Sequence, residues 1–318
     1  MAVADRLASE LRVLSEGCGL LDRSERGKLA LSGAEAATFL QGQVTNDVEA
    51  LAPGQGCYAA FLTPKGKMLG DLRILATEEE LELDTERFAL QGLFNLVRRF
   101  SVGYDVVLHK RTLERRLFSL IGPEARRVAG AEGLTAEEHA HRPALIAGVP
   151  VRLVVTDVGI DVLAEAEQLD ALREALEGAG AQSVGEDAAE ILRVERGRPR
   201  FGKDLDEGTI PQEAGLNERA VSFTKGCYVG QETVARLFYR GKPNRHLRGL
   251  RLSAPALTGD QVSLGERAVG TLGSVALSPR FGPIALALLR REAEPGATVA
   301  VGEDDARAEV VALPFTPR

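Results

Sequence analysis

The sequence predicts an α+β protein that ends in a small β-barrel. Up to residue 242, segments with the apolar spacing of helices alternate with short strand-like runs. Beyond Pro243, short alternating strands are separated by glycine turns, which is typical of an all-β module. A chain of 318 residues is long enough for two or three modules, each with its own core.

The pattern of apolar and turn residues in the first 113 positions predicts helices mixed with strands. An opening helix is indicated by apolar residues at helical spacing, namely Val3, Leu7, Leu11 and Leu14. Strands are predicted at 28–31, 56–62, 68–75, 81–84 and 105–108. Thr63 to Gly66 predicts a tight turn, because Pro64 presets one dihedral angle and Gly66 adopts positive φ without strain. Helices are predicted at 34–40, burying Phe39 and Leu40, and in a segment that buries Phe88, Leu93, Leu96 and Val97.

The next part of the chain predicts a strand at 117–121, a hairpin of strands 151–155 and 159–163, and helices at 165–176 and 186–196. From 198 to 224 the chain is rich in glycine, proline and charge and has little periodicity. A long irregular stretch inside a compact protein is usually functional.

Composition and charge exclude several classes of protein. The net charge of -7 argues against a chain that coats nucleic acid through bulk electrostatics. No apolar run is long enough to cross a membrane, and the first residues, with Asp5 and Glu10, lack a secretory signal pattern. We therefore expect a cytoplasmic protein that contacts neither a membrane nor DNA.

The cysteines and histidines do not predict a metal site. Cys18, Cys57 and Cys227 are far apart and lack the spacing of zinc or cluster ligands, and a disulfide is not expected in this compartment. His139 and His141 lie two residues apart without a third ligand nearby, so we expect them to face solvent.

The segment Lys225-Gly226-Cys227-Tyr228-Val229-Gly230-Gln231-Glu232 carries the most specific signal. Glycines allow close approach to a ligand, and a cation beside a thiol favours the reactive thiolate. A helix is predicted from Gly230 to Leu237, whose free N–H groups form an electropositive end. One interpretation is a reactive cysteine; the other is a buried, inert cysteine in a glycine-rich turn.

This octapeptide resembles the KGCYxGQE signature of the YgfZ family, which lies within the glycine-cleavage T-protein (GcvT) superfamily. Two further segments are similar to superfamily motifs. One is the run from Phe39 to Asp47, FLQGQVTND, and the other is Gly273 to Pro279, GSVALSP, followed by Gly282 and the run Ile284 to Ala287. Together these motifs span nearly the whole chain in the expected order.

The resemblance implies a three-domain ring like that of the T-protein, an aminomethyltransferase, around a channel for tetrahydrofolate. The implied folate-binding domain comprises 1–48 and 114–242, an inserted ferredoxin-like α+β domain comprises 49–113, and the barrel comprises 243–318. Glu195 matches the carboxylate that grips the pterin ring, a role in which it would accept two N–H bonds; an exposed helix-end glutamate is the alternative. Other residues assigned to the folate site are Tyr58, Asp71, Asp84, Gly226, Tyr228, Gly230, Gln231 and Arg236.

The chain departs from the aminomethyltransferases at Gly70. Those enzymes resemble this chain after the hairpin turn but have two adjacent aspartates, of which the first acts in catalysis. Here Gly70 and Asp71 occupy these positions. Glycine has no carboxylate for proton transfer, and Asp71 faces the opposite side of a strand, which argues against aminomethyl transfer.

Two basic clusters have two possible interpretations: a solvated surface, or a functional rim at the mouth of the channel. They comprise Arg196, Arg198, Arg200 and Lys203, and then Arg236, Arg240, Lys242, Arg245 and Arg248. A functional rim would hold the anionic folate tail, an acidic protein or RNA.

The resemblance implies a tetrahydrofolate-dependent accessory protein for assembly or repair of iron–sulfur enzymes, including those that modify tRNA. Its partners would be iron–sulfur enzymes or assembly factors, and Cys227 with Lys225 would form the reactive pair, carrying a one-carbon unit, a sulfur species or an electron. The alternatives are an aminomethyltransferase of the glycine cleavage system and a non-catalytic scaffold that senses folate.

Overall fold

The computed structural model describes residues 2–302 and 306–317, with backbone alone for 2–4. Its helices are α1 (Ala2–Glu16), α2 (Ala36–Gln41), α3 (Leu90–Phe100), α4 (Ala125–Val128), α5 (Leu169–Gly178), α6 (Glu186–Glu195), α7 (Asn217–Ala220) and α8 (Gln231–Arg240). Its first eleven strands are β1 (Gly19–Asp22), β2 (Gly27–Ser32), β3 (Gly56–Leu62), β4 (Met68–Ala76), β5 (Leu81–Thr85), β6 (Val107–Lys110), β7 (Arg115–Ile121), β8 (His141–Ile146), β9 (Val149–Thr156), β10 (Gly159–Glu165) and β11 (Gln182–Ser183). The remaining strands are β12 (Arg245–Leu252), β13 (Gln261–Leu264), β14 (Arg267–Ser278), β15 (Gly282–Arg290), β16 (Thr298–Val301) and β17 (Ala306–Val311).

The chain divides into two compact units. The first comprises Met1–Phe61, Leu69–Ala188 and Arg219–Val229, and the second comprises Leu62–Met68, Ala189–Glu218 and Gly230–Arg318. The three-domain boundaries expected from the sequence stay a prediction. No helix in the described ranges combines the length and apolar character needed to span a membrane.

The first unit is built on two sheets. One has the strand order β11-β1-β7-β10-β9-β8, and the other has the order β3-β4-β5-β2-β6. The predicted hairpin of β9 and β10 is antiparallel, with Ile160 opposite Val155. The core on the six-stranded sheet buries Leu20, Phe118 and Leu172 almost completely, and each such side chain contributes about 2 kcal/mol of apolar burial.

The second unit contains a closed barrel with the strand order β12-β15-β14-β13-β16-β17. Leu250, Val262 and Leu289 are among the side chains that fill its core. The barrel and the mixed helices and strands before it confirm the predicted α+β class.

Most predicted elements are present with small shifts in their bounds. The predicted strand at 56–62 coincides with β3, and the opening helix is α1, although the side chain of Val3 lies outside the described residues. The burial predicted for Phe88 is wrong, because this ring precedes α3 and is 72% exposed. The predicted helix at 165–176 begins later, since β10 continues to Glu165.

Buried charges join the two sheets of the first unit. Arg73 on β4 donates from Nη2 to Asp84 Oδ2 on β5 and from Nη1 to Asp161 Oδ2 on β10, both at 2.6 Å. Ser119 Oγ on β7 donates to the other oxygen of Asp161 at 2.6 Å. All four side chains are buried. A guanidinium in this position needs both carboxylates, because an unpaired buried charge is strongly unfavourable.

We predict that Asp161→Ala lowers the free energy of unfolding by roughly 3–5 kcal/mol, because it leaves the Arg73 guanidinium half-paired in the interior. The matched control is Asp22→Ala, which removes an exposed pair with Arg173 and should cost at most about 1 kcal/mol. Urea denaturation of both variants measures the difference. Equal losses would show that the internal pair does not support the sheets.

Candidate functional site

Lys225 anchors the octapeptide to the end of α2 in the first unit. Its Nζ donates to the backbone oxygens of Gln41 at 2.6 Å, Val44 at 2.8 Å and Asn46 at 2.8 Å. An ammonium has three N–H donors, so all three are used. Gln41 is the last residue of α2, where helix carbonyls lack partners within the helix and attract a cation. Burial lowers the pKa of Lys225 to about 8.

The structure therefore gives Lys225 a task that sequence analysis missed. Its three hydrogens are committed to carbonyls, and the pairing of its charge with the Cys227 thiol stays a prediction. The charge of Lys225 also favours ionisation of the Cys57 thiol, but burial raises the pKa of Cys57 to about 12. The contact of Lys225 with these carbonyls joins two sequence motifs, one ending at Asp47 and one beginning at Lys225. The presence of both motifs was the only sign of this contact in the sequence.

Cys227 is exposed while its neighbours are held in place. Tyr228 is buried, and its ring centroid lies 5.1 Å from Lys225 Nζ. Val229 N donates to Gly42 O at 3.2 Å. The interpretation of Cys227 as a buried turn cysteine is therefore wrong. The fold presents this thiol to solvent from a fixed backbone.

The two glycines of the octapeptide, Gly226 and Gly230, differ in whether the structure requires a glycine at that position. A Cβ at Gly226 would meet no atom within 4 Å, so packing of the described protein does not require glycine there and leaves room for a ligand. Gly230 has a φ of 88°, and a Cβ on it would lie 2.7 Å from Thr63 O, so glycine is required by backbone conformation and close packing. Gly230 precedes α8, which begins at Gln231 as predicted and extends beyond Leu237.

Tyr58, which is half-buried, and Asp71, which is buried, form a hydrogen-bonded pair in the first unit. Tyr58 Oη donates to Asp71 Oδ2 at 2.6 Å. Burial raises the pKa of Asp71 to about 6, an effect that the tyrosine bond partly offsets, and it raises the pKa of Tyr58 well above 10. The Arg219 guanidinium lies 5.3 Å from the Tyr58 ring centroid, and Asn46 Nδ2 donates to Tyr58 O at 2.8 Å. A carboxyl with this pKa exchanges its proton near neutral pH.

Asp84 belongs to the internal network. Besides Arg73, Arg26 donates from Nε to Asp84 Oδ1 at 2.6 Å, and the residue is 4% exposed. Burial alone would raise the pKa of Asp84, but the two guanidinium groups hold it below its usual range. Each carboxylate oxygen thus has a charged partner, so Asp84 acts in the structure of the two sheets.

Glu195 ends α6 in the second unit and is buried, not exposed. Its Oε1 accepts the Ser278 hydroxyl at 2.5 Å, and its Oε2 lies 3.8 Å from Arg280 Nη1. Its backbone oxygen accepts Phe315 N at 3.0 Å. The exposed helix-end interpretation is wrong. A carboxylate has about four acceptor positions, so this one retains capacity for two parallel N–H donors.

Neighbouring side chains fill the space that a side chain at position 70 would need. A Cβ here would lie 2.6 Å from Phe61 Cζ and 2.8 Å from Ala89 Cβ. Asp71, next on the strand, points the other way, towards Tyr58, as strand alternation requires. The chain thus lacks the first carboxylate of the aminomethyltransferase pattern and also the space for it.

The prediction that His139 and His141 face solvent is wrong. His141 is 3% exposed, and burial lowers the pKa of His141 to about 4 and that of His139 to about 3. His141 lies on β8, a strand that sequence analysis missed.

The basic clusters differ in their pairing. In the first, Lys203 and Arg200 approach Glu190 at 2.6 and 3.6 Å, so part of its charge is neutralised internally. In the second, Arg245 pairs with Glu213 at 2.8 Å, whereas Arg236, Arg240 and Lys242 are exposed.

We predict that Asp71→Asn removes a pH dependence from stability. Because burial raises the pKa of Asp71 to about 6 in the folded chain, its protonated form contributes stability that is complete below the unfolded pKa and is lost as pH rises through about 6. The free energy of unfolding of the natural chain, minus that of Asp71→Asn, should fall by about 3 kcal/mol between pH 3.5 and 7. Denaturant titrations across this range give the difference, and a difference that is flat or rises with pH would contradict the assignment.

Two family models match the chain. The GCVT N-terminal domain matches residues 2–225, and the glycine cleavage T-protein C-terminal barrel domain matches residues 245–316. Among solved structures, the glycine cleavage system aminomethyltransferase T of Bartonella henselae is similar, with a TM-score of 0.86 and 23% identity over 98% of this chain and 89% of that one. This likeness confirms the predicted T-protein fold.

Curated relatives of more than one kind are similar over most of the chain. An aminomethyltransferase of Streptomyces avermitilis is 31% identical over 326 residues, covering 94% of this chain and 87% of that protein. The tRNA-modifying protein YgfZ of Yersinia pestis is 32% identical over 260 residues, covering 78% and 76%. A putative chloroplastic transferase of Arabidopsis thaliana is 29% identical over 305 residues, covering 92% and 70%. The chain belongs to the glycine cleavage T-protein (GcvT) superfamily.

Proposed function

We propose that this protein is a tetrahydrofolate-binding accessory factor of the YgfZ type, acting in the cytoplasm on the assembly or repair of iron–sulfur enzymes, including tRNA-modifying ones. The observation that carries the proposal is the octapeptide, in which Cys227 is exposed between buried Lys225 and Tyr228. Such an arrangement suits a thiol that reacts with a partner. The similarity to the Yersinia pestis tRNA-modifying protein supports the choice within the superfamily.

Glu195 is the residue that we propose for pterin recognition. Its carboxylate is buried, is oriented by Ser278 and keeps acceptor capacity, so it suits two parallel N–H donors of a 2-amino-4-oxo pterin. A bound tetrahydrofolate would supply one-carbon or reducing chemistry. The chain's own part is to bind and orient the ring.

The other proposed folate residues have separate supports. Tyr58 and Asp71 offer a hydroxyl and a carboxyl that exchanges its proton near neutral pH, and Gly226 leaves open space. Tyr228, Gly230 and Gln231 are carried over from the family motif, and Arg236 is proposed from the basic cluster that follows it. We assign Asp84 to the internal network instead of to the ligand, because both of its oxygens bind guanidinium groups.

Packing at Gly70 argues against the aminomethyltransferase alternative. The face on which those enzymes would carry their first aspartate is occupied here by the Phe61 ring and Ala89. Without a carboxylate there, aminomethyl transfer lacks its proton-transfer group.

We predict that the purified chain binds tetrahydrofolate and that Glu195→Gln weakens this binding at least tenfold, because an amide replaces a charged acceptor with a neutral group that has only one oxygen. Ser278 can still donate to the amide oxygen, which protects the fold. Exposed Glu167→Gln is the matched control and should bind like the natural chain. Titration followed by ligand fluorescence measures both, and full affinity in Glu195→Gln would remove the pterin role.

We predict that Cys227→Ala abolishes support of an iron–sulfur tRNA-modifying enzyme in cells that lack the natural protein, while its affinity for tetrahydrofolate is unchanged. The matched control is Cys57→Ala, which removes a less accessible thiol and should retain support. The level of the modified nucleoside in tRNA is the readout. If Cys227→Ala supports the enzyme fully but Glu195→Gln does not, the folate-sensing scaffold replaces the proposed thiol chemistry.

A further inference from the structure

One stretch of the second unit concentrates positive charge. Residues 233–259 contain six lysines and arginines and no aspartate or glutamate, although the whole chain has a net charge of -7. Charge separated to this degree creates a local positive potential that the overall charge of the protein conceals. The stretch begins in α8 and ends beyond β12.

Part of this charge is engaged inside the unit and part is presented to solvent. Arg245 pairs with Glu213, and the Arg251 guanidinium lies over the rings of Phe281 and Phe315, at 5.3 and 5.8 Å from their centroids. Arg240 and Lys242 are exposed, and within residues 2–302 and 306–317 no ion pair is recorded for either. The unneutralised cations therefore cluster where α8 ends.

Two aromatic rings are exposed at the same place. Phe238 is 46% exposed and Tyr239 is 66% exposed, and their ring centroids lie 5.0 Å apart in an edge-to-face arrangement. Scattered apolar side chains on a surface are ordinary, but here two rings are adjacent in the sequence and directly precede two unpaired cations. Exposed aromatic side chains beside cations match the two features of unpaired nucleotides, which are flat bases and anionic phosphates.

We propose that Phe238, Tyr239, Arg240 and Lys242, named here the α8-end surface, bind unpaired nucleotides of RNA. Arg240 and Lys242 contact phosphates, and the aromatic rings stack on bases. RNA is the expected nucleic acid because folded RNA presents unpaired loops, whereas the bases of duplex DNA stay stacked and paired. An acidic protein would satisfy the cations but gives no role to the rings. Arg236 is excluded from this surface because it belongs to the proposed folate residues.

The electrostatic part is tested with the full chain and a fluorescently labelled single-stranded RNA of about 12 nucleotides, a length within the usual range of single-strand sites. Fluorescence anisotropy is measured across a series of salt concentrations. We expect Arg240→Ala/Lys242→Ala to bind at least tenfold more weakly, with a salt slope shallower by about 1.4, since each phosphate contact contributes about 0.7. The matched control, Lys65→Ala/Arg87→Ala, removes the same charge from exposed positions elsewhere and should bind like the natural chain.

The stacking part is tested with Phe238→Ala/Tyr239→Ala. We expect roughly tenfold weaker binding with an unchanged salt slope, because stacking releases no counterions. Tyr239→Phe keeps a ring and should retain binding. Phe88→Ala removes an exposed ring from the first unit and should have no effect.

Four results would overturn the proposal. They are the absence of RNA binding by the natural chain, equal losses in the two charge variants, tighter binding of single-stranded DNA than of RNA of the same sequence, and binding of a polyglutamate peptide that displaces the RNA or replaces it. Circular dichroism of each variant confirms folding, which is expected because the substituted side chains are exposed. Tetrahydrofolate affinity, measured in parallel, should be the same in all these variants, so failure here is separate from failure of the folate proposal.

Discussion

The buried guanidinium of Arg73 is the interaction on which the first unit depends most. It joins the two sheets through Asp84 and Asp161, and Arg26 extends the network from the other oxygen of Asp84. Arg26 also lowers the pKa of Asp71 against the larger effect of burial. Burial dominates the proton affinity of the carboxyl that binds Tyr58, and one cation of the network that joins the sheets moderates it.

Lys225 holds the octapeptide in place, as Arg73 holds the two sheets together. Its ammonium donates to carbonyls at the end of α2 and just beyond it, the first of which is 184 positions away in the chain. These bonds fix the backbone on which Cys227 is exposed. A lysine serves this geometry because its three donors radiate from one atom, whereas arginine presents a planar fork. Exposure of the thiol thus follows from burial of its neighbours.

Local signals predicted much of the fold, and long-range pairing explains what they missed. The strand β3 was predicted within its observed bounds because a proline–glycine turn ends it sharply, and glycine turns predicted the barrel strands. The burial of His141 and the partners of Arg73 could not be predicted, because they depend on which strands meet; Arg73 and Asp161 lie 88 positions apart. The motif predicted the importance of Lys225 but not its carbonyl partners, since backbone acceptors leave no mark in a sequence.

The packing around Gly70 also limits which substitutions this strand tolerates. An aspartate there would force atoms into the space of the Phe61 ring, while shortening Phe61 alone would open a cavity in the core. Either single step lowers stability, and even the two together leave Ala89 Cβ 2.8 Å from the added Cβ. A carboxylate at position 70 therefore requires several coordinated substitutions in the surrounding core, none of which is neutral alone.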